Sequence, residues 1–360
     1  MIVTKRYSWL RSATITPIVA ALVLALTWGR SLNGFVMIIV AAALVGAVIA
    51  AVHHAEVVAH RVGEPFGTLI LAIAVTVIEV GLIIMLMSAG GEGSDSLARD
   101  TVFAAFMIVC NGIIGLCLFV GALKHRVLEF RVEGVTAALA TLSAVATLAL
   151  VLPAFTTTTP GPTFSPAQLA FAGVASLILY GVFVFMQTVR HRDYFLPLKP
   201  DEEHASPPTA RDATTSLVAL LLCLVAVVGL AKTASPAIEG AVEAMGAPRA
   251  VVGVAIALLV LLPETTAAVR AAARNRVQTS LNLALGSALA SIGLTIPAIA
   301  LASVWLGGKL TLGLGAKEMV MLALTVVVTT LTVAPGRATL MQGTVHLAIF
   351  GAFLFLAVTP

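Results

Sequence analysis

Two glutamates sit where the surrounding sequence offers them no water. Glu79 lies about twelve residues into the apolar run 67–89 and Glu264 about fifteen into 249–270, whereas the remaining acids of the 360-residue chain can be assigned to connections between such runs or to run ends. An ionisable group at the centre of a bilayer costs about 2.5–3.5 kcal/mol on insertion scales and is tolerated where it faces protein or a water-filled path. Carboxylates without His or Cys clusters form a hard-oxygen set, suited to Ca²⁺ or Na⁺ rather than to zinc or copper. Two ionised glutamates carry a double negative charge that one Ca²⁺ cancels, as do two protons, or one Na⁺ or K⁺ together with one proton. If only the neutral site can cross a low-dielectric centre, the cation must exchange for protons.

The residues around the two acids extend this chemistry. Pro263 precedes Glu264 and has no N–H, so the carbonyl of Leu259 loses its helical donor and becomes a potential cation ligand. Thr76, one turn before Glu79, shares its face. The next run in each half supplies neutral oxygens. The stretch CNGIIG carries Asn111, with Gly112 and Gly115 allowing a neighbour to approach closely. The stretch SLNLALGSALASIGLT places Ser280, Ser287, Ser291 and Thr295 near one face, interleaved with Gly286, Ala290 and Gly293. The supporting ligands expected are Asn111, Ser291, Ser287, Thr76 and Thr295.

These residues need a membrane around them, and composition supplies one. With 59% hydrophobic and 11% charged side chains, and a mean hydropathy of +1.06, the chain cannot cover a water-facing globule, which carries roughly 25% charge. A span needs roughly 20 apolar residues, and eleven runs qualify: 14–29, 35–54, 67–89, 101–123, 135–153, 167–189, 215–232, 249–270, 278–304, 315–334 and 341–358. Bulky Trp28 and Arg30 stand where a signal peptide would have its cleavage site, so the first run reads as a retained helix. Threading the runs alternately puts fifteen of the 21 Lys and Arg on the N-terminal side. That asymmetry predicts a cytoplasmic N-terminus and an external C-terminus in a bacterial-type inner membrane. It also explains the net charge of +4 without nucleic acid.

The runs carrying Glu79 and Glu264 are five spans apart and so cross in opposite directions. Leu71–Glu79 (LAIAVTVIE) aligns with Ile256–Glu264 (IALLVLLPE), pairing Ala72 with Ala257, Val75 with Val260 and the two acids. The fold expected is all-α and polytopic: helix 1 (residues 1–33), a five-helix repeat (34–190), a cytoplasmic linker (191–214) and an inverted five-helix repeat (215–360). Sites at the midplane between inverted repeats recur in secondary transporters.

The chain resembles calcium/proton antiporters of the cation/Ca²⁺ exchanger superfamily, of the bacterial ChaA type. The likeness is strongest over Gly63–Val80, Met107–Gly115 and Leu261–Pro297. It implies that Glu79 and Glu264 bind the ion and couple protons while facing each side in turn. It also implies Ca²⁺ export with Na⁺ or K⁺ exchange as the alternative, and no cofactor. Only Leu261-Leu262-Pro263-Glu264 remains of the superfamily's Ser-Leu-Pro-Glu-like run, and Val77-Ile78 precede Glu79, which favours a proton-coupled member.

Other polar residues read as ordinary structure. His53, His54 and His60, with Glu56 and Glu64, form an interfacial cluster at the inner end of the second run. His346 makes an interhelical hydrogen bond; Glu239 and Glu243 are external surface; Asp201, Glu202 and Glu203, among prolines, are solvated chain rather than a cation sensor. Cys110, Cys117 and Cys223 lack metal-ligand spacing. An intramembrane enzyme would need a nucleophile or metal set beside the acids, and neither a Ser/His pairing nor HExxH is present. A channel would need a ring of subunits about one axis, whereas a single carboxylate pair marks one locus.

Overall fold

The computed structural model describes residues 3–30, 32, 34–63, 66–90, 93–196, 208–244, 246–305 and 310–359. All eleven apolar runs are helices: α1 (Val3–Thr27), α2 (Gly34–Val62), α3 (Phe66–Ala89), α4 (Ser94–His125), α5 (Val132–Ala154), α6 (Pro166–Arg190), α7 (Ala210–Ala244), α8 (Ala250–Ala273), α9 (Val277–Ala302), α10 (Ala316–Val333) and α11 (Leu340–Val358). Ten are long and apolar enough to span a membrane, and α1 adds the shorter apolar stretch Ile15–Thr27. Large apolar side chains such as Ile38, Phe171, Val225 and Leu331 point outward, as lipid requires.

Two helices overrun their expected limits. α2 continues past residue 54 to Val62 because Ala55 and Val58 extend its buried face, so His53, His54, Glu56 and His60 are helical; Glu64 lies outside the described residues. α7 begins at Ala210, inside the expected linker. Thr209 caps it: the Asp212 N–H donates to Thr209 Oγ1 at 3.2 Å and the Thr209 N–H to Asp212 Oδ2 at 3.3 Å. Lys232, the last residue of the run 215–232, is inside α7, with its Nζ 5.4 Å from the centre of the Trp28 ring. The helix also carries Glu239 and Glu243. Asp201, Glu202 and Glu203 lie outside the described residues.

The helices form two compact units that interleave the sequence halves. The first holds α1, α2, α3 and α7. Here α2 packs along α7, and α1 and α3 each touch both. Gly81 permits the α3–α7 approach, since a Cβ there would fall 2.8 Å from Val228 Cγ2.

The second unit holds α4–α6 and α8–α11, with α4 and α9, its two most buried helices, in contact at the middle. Around them α11 packs on α4, α6 on α9, α8 on both, and α5 on α9 and α10. Two clasps fasten this body. In the α4–α5 loop, β1 (Leu128–Glu129) pairs antiparallel with β2 (Arg337–Ala338) of the α10–α11 loop. In the α5–α6 loop, Thr163 bridges Thr311 of the α9–α10 loop. Replacing helix n by n+5, modulo the repeat, turns one clasp into the other. The same operation relates α6 to α11, and each opens with a capping box, Ser165 with Gln168 and Thr339 with Gln342.

Candidate cation-binding site

In the first unit, α3 turns Ile73 and Val77 outward and buries Ala72, Val75, Ile78, Leu82 and Ile83. Glu79 belongs to the buried face and is only 1% exposed. Thr76 is buried beside it, its hydroxyl donating to the Ala72 carbonyl at 2.8 Å. That bond uses the proton of Thr76 and leaves the oxygen as an acceptor.

In the second unit, α8 presents Leu258 and Leu262 outward. Glu264 follows two residues later, turned about 200° from that stripe at 100° per residue, and its Oε2 is shielded from solvent. Pro263 lies inside an uninterrupted helix, so the Leu259 carbonyl forgoes its usual donor. Neighbouring hydroxyls serve the local backbone: Thr265 donates to Leu261 O at 2.7 Å and Thr266 to Pro263 O at 2.8 Å.

The hydroxyl-bearing helix α9 packs along α8. Ser280, Ser291 and Thr295 are fully buried and Ser287 is partly so. The second unit thus contains Glu264, Ser287, Ser291, Thr295 and Asn111, while Glu79 and Thr76 belong to the first.

Asn111 occupies a π-helical turn, Ile108–Ile113, in α4. Gly112 and Gly115 do admit a neighbour, and it is α11: Phe350 lies over Gly112 and His346 over Gly115. The Asn111 amide is engaged at both ends. Nδ2 donates to Thr325 Oγ1 at 2.9 Å, and Oδ1 lies 3.1 Å from His346 Nδ1. Thr325 in turn donates to Met321 O at 2.7 Å, which fixes the amide orientation because that hydroxyl can only accept from Asn111. The second imidazole nitrogen lies 3.0 Å from Thr332 Oγ1. Asn111, Thr325 and His346 are fully buried and Thr332 is 3% exposed. His346 therefore bonds between helices as expected, while Gln342 caps α11. The sequence reading missed Thr325 and Thr332; the spacing Thr325, Thr329, Thr332 on one helical face was the available signal.

The family model for sodium/calcium exchanger protein matches residues 13–189 and 215–359, nearly the whole chain. The chain belongs to the sodium/calcium exchanger family. This exchanger is therefore a membrane transporter and not an enzyme. It is 36% identical to the sodium-potassium/proton antiporter ChaA of Escherichia coli strain K12 over 352 residues, 95% of each chain. It is 50% identical to the protein y4hA of Sinorhizobium fredii over 361 residues, 98% of this chain and 96% of that one. Among solved structures, native YfkE superposes with a TM-score of 0.73 at 15% identity, covering 98% and 99% of the two chains. The H⁺/Ca²⁺ exchanger CAX gives 0.72 at 17%, covering 98% and 89%. The exchanger thus shares the fold of both.

Proposed function

We propose that this exchanger is a secondary active cation/proton antiporter, working by alternating access on a site built from Glu79 and Glu264. The burial of Glu79 at 1% exposure on the protein-facing side of a membrane helix carries the reading. A carboxylate held there, with a counterpart on α8 whose Oε2 is shielded from solvent, is costly to leave charged, which suits neutralisation by ions that it exchanges. Ser291, Ser287, Thr295, Thr76 and the proline-freed carbonyl of Leu259 would complete an oxygen shell; Asn111 would contribute only while keeping its bonds to α10 and α11.

Ca²⁺ for about two protons is the exchange that a doubly charged site favours, and an inward proton gradient makes cation export its natural direction. A second reading, Na⁺ or K⁺ with protons at the same site, is supported by the 36% identity to ChaA across 95% of both chains. The protein would sit in a bacterial-type inner membrane with its N-terminus cytoplasmic and C-terminus external, meeting lipid, its transported cations and protons, and needing no cofactor and no nucleic acid. Reconstitution in liposomes with a pH-sensitive dye inside tests the proposal. Addition of Ca²⁺, Na⁺ or K⁺ should release protons through the wild-type chain and not through Glu79→Gln or Glu264→Gln. Cation flux without proton movement would refute antiport, and the panel ranks the cations.

A further inference from the structure

The π-turn in α4 has an unused main-chain acceptor at its centre. The Ile114 N–H, which in an α-helix would serve the carbonyl of Cys110, donates to Val109 O instead. Cys110 is fully buried, so water cannot satisfy that carbonyl, and an orphan of this kind is destabilising unless another donor arrives. His346 stands at that carbonyl: its ring reaches the Cys110 main chain, and its Nδ1 lies 3.1 Å from Asn111 Oδ1 in the same turn. Both are acceptors only, because the Asn111 amide nitrogen is turned to Thr325. The proton must therefore be on Nδ1. A neutral ring then presents Nε2 as an acceptor, and the Thr332 hydroxyl stands 3.0 Å from it to donate. Close approach is built in, since the His346 main chain crosses α4 at Gly115.

We propose that His346 is a positioning residue, the neutral Nδ1–H tautomer that holds the π-turn of α4 open and fixes the register of the helix carrying Asn111. A π-turn inserts one residue into the helical count, so losing it would rotate the part of α4 beyond the turn by about 100°. α4 contacts both α8 and α9, hence the turn sets how α4 meets the helices bearing Glu264, Ser291 and Thr295. This role rests on the antiport reading for its functional consequence but not for its chemistry.

Two measurements on the full-length protein decide it. In ¹⁵N-histidine spectra, assigned by comparison with His346→Gln, the proposal requires an Nδ1–H tautomer for His346 from about pH 6 to about pH 8. An Nε2–H tautomer would overturn it. In liposomes, His346→Leu should raise the half-saturating cation concentration about tenfold, the worth of a lost buried hydrogen bond, with maximal flux nearly unchanged. His346→Gln, whose amide can donate to both acceptors and accept from Thr332, should restore it to within about threefold. If His346→Leu lowers the melting temperature yet leaves that concentration where it was, the residue is merely structural and the positioning role fails. Absence of proton-coupled flux in the wild type would count against the antiport reading alone, and the tautomer would still judge the clamp.

Discussion

Gly115 of α4 and His346 of α11 touch through their main-chain neighbourhoods: a Cβ at position 115 would lie 2.9 Å from His346 Cβ and 3.1 Å from the Leu347 nitrogen. Helix association in lipid lacks a hydrophobic drive and depends on such close packing. Gly115→Val should therefore destabilise the protein by about 1–3 kcal/mol, the usual range for overpacking, seen as a lowered melting temperature in detergent. Gly286→Ala, where nothing lies within 4 Å of the new methyl, should leave it unchanged or slightly raised. Equal effects would show that glycine is not what admits α11.

Neutralising either acid should stop exchange while preserving the fold. Glu79→Gln and Glu264→Gln retain shape and one oxygen but each removes a charge the cycle needs, so proton-coupled flux should drop by at least about a hundredfold, a loss of nearly 3 kcal/mol. Size-exclusion profiles and melting curves should match the wild type. Retained flux in both variants would remove these residues from the proposed site.

Acidity should oppose cation loading. Protons and the cation contend for the same carboxylates, so protonated acids bind no metal, and lowering pH on the loading side must raise the half-saturating cation concentration. The rise should approach about tenfold per pH unit for each proton displaced. A pH-independent value, measured by flux at fixed gradient, would contradict a shared site.

A polar ladder at the start of α9 should be structural. Gln278, 2% exposed, accepts from the Arg131 N–H at 2.7 Å and donates to Asn282 Oδ1 at 3.0 Å, and Asn282 donates to Phe195 O at 2.6 Å. Gln278→Leu leaves the Arg131 N–H and Asn282 Oδ1 without these partners, which should lower stability by about 1–3 kcal/mol. The half-saturating cation concentration in liposomes should be unaffected.

Orientation can be read with single cysteines. In a chain whose three native cysteines, all buried, are replaced by Ala, a cysteine at Arg126 should react with impermeant maleimide only in inverted vesicles, and one at Thr158 only in right-side-out cells. The reverse pattern would invert the topology proposed from the charge distribution.

Much of this architecture is legible in the sequence because lipid makes its rules simple. Eleven apolar runs became eleven helices, and Glu79 and Glu264 stood out as the charges that no loop could take. Limits failed where polarity misleads: His53 to Arg61 looks like the end of a helix, yet Ala55 and Val58 are buried together with His54 and carry α2 on to Val62. The π-turn left no mark, since IVCNGI is as apolar in one register as in another. The partner of Asn111 could not be guessed either, because His346 lies 235 residues along the chain. Contacts of that range are set by how helices are arranged, not by any local pattern.

The clasp between Leu128–Glu129 and Arg337–Ala338 has a bearing on biosynthesis. One strand leaves the ribosome when α4 has just been made, and the other only when ten of the eleven helices exist. The first half of the body must therefore wait in the bilayer with that edge unfastened, and a chain truncated before Arg337 would be inserted yet never locked.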